Sequence, residues 1–109
     1  MTDTGSRCEH APFTSYLEYT TEDLGVGDQH SDVFVLTCRT CGQEWLKVLV
    51  EEEHRSRSGR WWLVPVPAER ERLSAANAVA IVERAAWCYV GGSYYDGRIQ
   101  RRTAPITFF

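Results

Sequence analysis

The residues best equipped for chemistry in this sequence are its four cysteines, at positions 8, 38, 41 and 88, and its three histidines, at positions 10, 30 and 54. Two spacings stand out. Cys38 and Cys41 are separated by two residues and followed by Gly42, and only Glu9 separates Cys8 from His10. Thiolates bind soft or borderline metals or exchange disulfides, and imidazoles bind the same metals. The N-terminal residues lack the positively charged start and apolar run of a secretory signal, and no run of about 18 apolar residues is long enough to span a membrane. A cytoplasmic protein is therefore expected, and in that reducing compartment such cysteines are read as metal-binding or redox groups before structural disulfides.

In a redox centre of the thioredoxin type the second cysteine opens a helix, whereas Cys41-Gly42 leads into the strand-like run WLKVLV. The segment TCRTCG instead resembles the knuckle of zinc ribbons and related zinc-binding folds, in which a tight turn aims two sulfurs at one ion. The resemblance covers about the metal-binding half of the chain, and it implies Cys38 and Cys41 as ligands and Gly42 as the turn residue. A structural zinc takes four ligands, so a second pair is needed. Cys8 and His10 supply it, because residues i and i+2 of an extended segment project to the same side. The expected ligands are thus Cys8, His10, Cys38 and Cys41, with His30 as the substitute for His10. Cys88 reads as a small buried hydrophobe, and His30 and His54 lie in loop-like surroundings.

A catalytic zinc would keep one position open for water beside a general base. The sequence has no His-Glu-x-x-His. The deaminase pattern of His-x-Glu with a later Pro-Cys-x-x-Cys is not met either, since the chain reads Cys8-Glu9-His10 and no proline precedes Cys38. Glycine-rich phosphate loops with their lysine are absent. The chain is expected not to be an enzyme, and a metal-dependent enzyme ranks third among the readings.

The elements that must position the ligands follow from hydrophobic periodicity. Residues 13–19 alternate as a half-buried strand, and the polar stretch TEDLGVGDQHSD reads as a loop. Residues 32–37 form a second strand running into Cys38. Residues 44–53 form a third, with Trp45, Lys47 and Leu49 on one side and Leu46, Val48 and Val50 on the other. Residues 60–66 pair with it as a fourth strand, in which Pro65 implies an edge or a strand end. Residues 69–89 then switch to the period of a long amphipathic helix, with Ser74 as a possible internal cap and Gly91-Gly92 as its stop. The Asp96-Gly97 pair signals a hairpin beyond it. The expectation is an α+β fold: an antiparallel sheet of about four strands, one long helix and a zinc knuckle, in one zinc-stabilised domain over residues 1–109. With 43% apolar and 25% charged residues in 109, the chain should fold, but on a thin core to which a metal staple adds most.

A net charge of −3 gives no global attraction to nucleic acids or anionic membranes. Two basic clusters depart from it: His54, Arg55, Arg57 and Arg60 beside Trp61 and Trp62, and Arg98, Arg101 and Arg102 beside Tyr94 and Tyr95. Basic residues interleaved with aromatics suit single-stranded nucleic acid, although Glu51, Glu52 and Glu53 offset the first cluster. Adjacent tryptophans in a strand point to opposite faces, so one of Trp61 and Trp62 needs a second layer or serves as an interface anchor. The leading expectation is a non-enzymatic protein-binding module that engages its partner through Trp61, Trp62, Tyr94, Tyr95 and Arg98. In size and mild acidity the chain resembles the immunity proteins that neutralise bacterial toxins, which implies a small dedicated inhibitor. A nucleic-acid-binding zinc ribbon is the alternative.

Overall fold

A computed structural model describes residues 8, 11–27, 30–51, 56, 58–66 and 73–106. Among these, six strands build one antiparallel sheet in sequential order: β1 (Tyr19–Val26), β2 (Asp32–Cys38), β3 (Glu44–Val50), β4 (Arg60–Pro65), β5 (Trp87–Gly91) and β6 (Gln100–Thr103). One short helix among the described residues, α1 (Ala78–Arg84), is inserted between β4 and β5. The architecture is mostly sheet, and the expectation of about four strands and one long helix is corrected at three places.

The first correction lies in the N-terminal segment. Of residues 13–19 only Tyr19, which opens β1, is in a strand, because Ser15 and Glu18 make a capping box: the Ser15 hydroxyl accepts from the Leu17 N–H at 3.1 Å, and the Glu18 carboxylate accepts from the Ser15 N–H at 3.1 Å. That pair sets a 3-10 turn at Tyr16–Glu18. The second concerns β1, which occupies much of what reads as a loop. It has almost no apolar alternation, since it is an edge strand held by its backbone ladder to β2. A bulge between Asp23 and Gly25 absorbs one residue, with Gly25 at φ +100°.

The third correction is the helix. Only Ala78–Arg84 is helical among the described residues, and the run of Val79, Ile81 and Val82 favours a helix weakly. Asn77 is its cap rather than Ser74, and the Asn77 side chain accepts from the Ser74 N–H at 2.9 Å. Ala85 turns extended at ψ 147°, and Trp87–Gly91 becomes β5 because it pairs on both sides, with β4 and with β6. Tertiary pairing overrides the helical period there. Pro65 ends β4, which is an interior strand. The Asp-Gly signal is met: Asp96 at φ +59° and Gly97 at φ +78° close the connection from β5 to β6.

The sheet buries both faces. On one, Val33, Val35, Leu46, Val48, Trp62, Val64, Cys88 and Val90 pack under Ala78, Val79 and Val82 of α1. On the other, Leu36, Cys38, Trp45 and Leu63 pack under Phe13, with Phe34, Trp61, Trp87 and Tyr89 alongside. Trp61 and Trp62 do face opposite ways. Trp61 lies over Gly91, its cross-strand partner, where any side chain would collide with the indole: an added Cβ would stand 2.6 Å from Cζ2.

Trp62 is 2% exposed at the centre of the helix-covered core. Trp62→Ala is expected to lower unfolding stability by about 3–5 kcal/mol, as large-to-small changes of buried aromatics do. Trp61→Ala should cost clearly less, because the ring is only half-buried. Denaturant unfolding of the two variants checks the order.

Candidate metal centre

Strand β2 ends at Cys38, and the chain reverses at once to begin β3 at Glu44. The reversal is closed by the Gly42 N–H donating to the Cys38 carbonyl at 2.9 Å and the Cys38 N–H donating to the Gln43 carbonyl at 3.0 Å. Gly42 sits at φ +77°, in the left-handed region where a side chain would be strained. Opposite this turn, the Arg39 N–H donates to the Glu18 carbonyl at 2.9 Å, which docks the N-terminal segment on the knuckle. Cys8 thereby comes into reach. The sulfurs of Cys8, Cys38 and Cys41 all lie within 4.8 Å of one another. Sulfurs around one tetrahedral ion stand about 3.8 Å apart, as metal–sulfur bonds of about 2.3 Å require, so the cluster is close to a metal-binding geometry. None of the three is in a disulfide.

The three thiols differ in environment. Cys38 is buried, Cys8 half-buried and Cys41 exposed. Burial raises the Cys38 thiol, but the backbone N–H groups of Cys41 and Thr40 and the thiols of Cys41 and Cys8 outweigh it and bring it down from 9.0 to about 7. For Cys41, the Gln43 N–H favours the thiolate, yet desolvation and the neighbouring sulfurs of Cys8 and Cys38 push it upward. Proton and metal compete for the same sulfur, so loading should weaken as pH falls through about 7.

On its inner side the cluster rests against apolar groups: Phe13, Leu36, Trp45 and Leu63 share a core with Cys38, and Cys8 and Ala11 pack at its margin. An apolar wall of this kind limits solvent access to an ion. No carboxylate or imidazole joins the three sulfurs among the described residues. His10, the expected fourth ligand, lies outside the described residues, as does His54. His30 is no substitute. It stands in the connection from β1 to β2, and Cys38 is at the far end of β2, a separation of about 20 Å at the usual rise per strand residue.

Cys88 lies under α1 on the opposite face of the sheet, in β5 rather than in a helix, and burial raises its thiol to about 11 against a lowering influence from Arg102. It takes no part in the cluster.

The other expected site residues divide. Neither tryptophan is an exposed anchor: Trp62 is core, and Trp61 is half-buried with the Lys47 ammonium 5.4 Å from its ring centre. Tyr94, Tyr95 and Arg98 do come together, in the 3-10 turn Ser93–Tyr95 and the residues after it. The two rings meet edge-on at 4.9 Å, Arg60 lies over Tyr94 at 5.0 Å and Arg102 over Tyr95 at 5.3 Å. Tyr94 is 55% exposed and Ile99 44%. The basic cluster expected at His54, Arg55 and Arg57 falls outside the described residues, and only its Arg60 is placed. Lys47 has a strand face in the sequence pattern but no assigned role. The signal for it was present: a single charge inside the run WLKVLV, on the strand face that also carries Trp45 and Leu49.

No helix among the described residues is long and apolar enough to cross a membrane. No protein-family model matches the sequence, and neither the curated proteins nor the solved structures give a match.

Alkylation of the metal-free protein at neutral pH should label Cys41 and leave Cys88 untouched, because one is exposed and the other buried with a raised pKa. Metal loading should then protect Cys41. Mass spectrometry of the labelled peptides reads both outcomes.

Proposed function

We propose that the protein is a non-enzymatic binding module whose N-terminal segment is fixed by one structural zinc ion. The observation that carries this reading is the convergence of Cys8, Cys38 and Cys41 at the turn from β2 to β3, where a thiolate set favours zinc in a reducing compartment. His10 completes a Cys3His site: it is two residues from Cys8 and is the one histidine close in sequence to the cluster. A group of three thiolates with one imidazole leaves no open position for water, so the ion's contribution is to hold the chain. It is a fold-holding knuckle of the zinc-ribbon kind.

The binding surface is the patch around Tyr94, Arg98 and Ile99 at the end of β5 and β6. It is supported by the exposure of Tyr94 and Ile99 and by the guanidinium groups of Arg60 and Arg102 over the two tyrosines. Exposed aromatic and arginine side chains are the composition of interface hot spots, and the arginines favour an acidic protein partner. A dedicated inhibitor of immunity type fits this arrangement. Nucleic-acid binding is the second reading, favoured by the same pairing of arginines with aromatics.

Purified protein should contain about one zinc per chain by elemental analysis, and Cys38→Ser should lose the metal and unfold. Structural zinc contributes on the order of 10 kcal/mol, as much as such a domain's net stability. Metal-free protein with unchanged thermal stability after chelation would refute the zinc assignment. A salt titration with single-stranded RNA and DNA separates the two partner classes. The protein-binding reading predicts affinity no tighter than about 10⁻⁴ M at physiological salt, and tight binding with a steep salt slope would favour nucleic acid. Tyr94→Ala with Arg98→Ala should abolish recovery of the partner from the native host without changing zinc content.

A further inference from the structure

The aromatic face of the sheet holds a cavity of about 160 Å³ between β2–β4 and residues 12–16, which form its roof. Its walls include Phe13, Tyr19, Leu36, Trp61 and Leu63, and Lys47 enters it from the middle of β3. The surroundings of that lysine are unusual. Its cross-strand neighbours are Phe34 on β2 and Leu63 on β4, and Trp45 and Leu49 flank it on the same face of its own strand. The ammonium contacts the Trp61 ring at 5.4 Å, and among the described residues no carboxylate pairs with it. Glu18, the carboxylate that follows the roof in sequence, is engaged with the roof's own backbone: it accepts from the Thr14 N–H at 2.7 Å, the Thr14 hydroxyl at 3.1 Å and the Ser15 N–H at 3.1 Å.

We propose that this cavity is a binding site for a small aromatic carboxylate, with Lys47 as the counter-ion and the rings of Phe13, Tyr19 and Trp61 as its walls. The charge follows from Lys47. A half-buried cation whose only described partner is a ring face gains more from an incoming anion than an exposed one does, since the folded protein has already removed much of its water. Burial accordingly lowers the Lys47 pKa from its usual value. One ammonium, with no arginine among the described lining residues, suits a single negative charge better than a phosphate dianion. The body of the ligand follows from the walls and the volume. A cavity of about 150 Å³ accommodates benzene, and aromatic walls favour a flat ring. Phe13 supplies a separate indication: it lines the cavity at φ +64°, a left-handed conformation that bulky side chains rarely adopt and that concentrates at ligand-binding segments. The site is distinct from the tyrosine–arginine patch and does not depend on which metal the cysteines hold.

The probes are benzoate, its neutral counterpart benzamide, and acetate, each titrated into the full chain as purified while amide and tryptophan resonances are followed by NMR. Benzoate should give saturable shifts at Trp61 and Lys47. Benzamide and acetate should bind at least about tenfold more weakly, because one lacks the charge and the other the ring. Lys47→Met should fold normally and lose benzoate affinity by a similar factor, and Lys47→Arg should recover part of it. Equal affinity for benzoate and benzamide would overturn the role of Lys47, and equal affinity for acetate would overturn the role of the aromatic walls. Absence of any saturable shift up to about 20 mM benzoate would overturn the site. The benzoate and benzamide comparison uses the unaltered chain, so it decides the matter even where Lys47→Met fails to fold.

Discussion

Strands β2, β3 and β4 carry apolar side chains on both faces, so neither side of the sheet can be left to water, and the described residues offer one helix of seven residues to cover them. Helix α1 closes the first face over β3 and β4. The second face falls to an irregular N-terminal segment, residues 11–18, together with a layer of aromatic rings. Irregular chain makes few hydrogen bonds of its own and loses conformational entropy when it is fixed, at about 1–2 kcal/mol per residue. A segment of that kind stays in place only where something ties it down.

The ties are visible at three points. Ser15 and Glu18 lock the 3-10 turn, the Arg39 N–H joins that turn to the knuckle, and Cys8 reaches the thiols of Cys38 and Cys41. With the proposed ion bound, the last would dominate, since a thiolate–metal site adds far more than one hydrogen bond. Beyond the knuckle the rings hold one another. Trp45 meets Trp87 at 6.1 Å and Tyr89 at 6.0 Å, Trp87 meets Tyr89 edge-on at 5.3 Å, and the Arg101 guanidinium covers Trp87 at 4.3 Å. The Trp45 Nε1–H is buried there without a hydrogen-bond acceptor among the described residues, a local penalty offset by the packing of the indole.

Alternation made the central strands legible. The strands expected at residues 32–37 and 44–53 correspond to Asp32–Cys38 and Glu44–Val50, and the opposed faces of Trp61 and Trp62 follow because pleat geometry leaves no other choice. The edges were not legible for the converse reason. In β1, Thr20, Thr21, Glu22 and Asp23 are all exposed, so only the backbone of β2 specifies that they are a strand. Trp87–Gly91 was lost to the helix because Ala85, Ala86 and Tyr89 continue the helical spacing, while the open edge of β4 that captures them is set by tertiary structure. At the candidate metal centre the Cys-x-x-Cys-Gly spacing identified the turn, and the need for a second ligand pair, met by Cys8 with His10 at i and i+2, identified the third thiol. Exclusion of His30 needed the register of β1 on β2, which no local pattern contains.

The claim on which this account turns is that an ion joins the N-terminal segment to the turn from β2 to β3 through three sulfurs. X-ray absorption at the zinc edge of the purified, metal-loaded protein tests it most directly. A four-coordinate shell of three sulfurs at about 2.3 Å and one nitrogen at about 2.0 Å is the expected result. A shell with fewer than three sulfurs, or one made of oxygen and nitrogen alone, would contradict it.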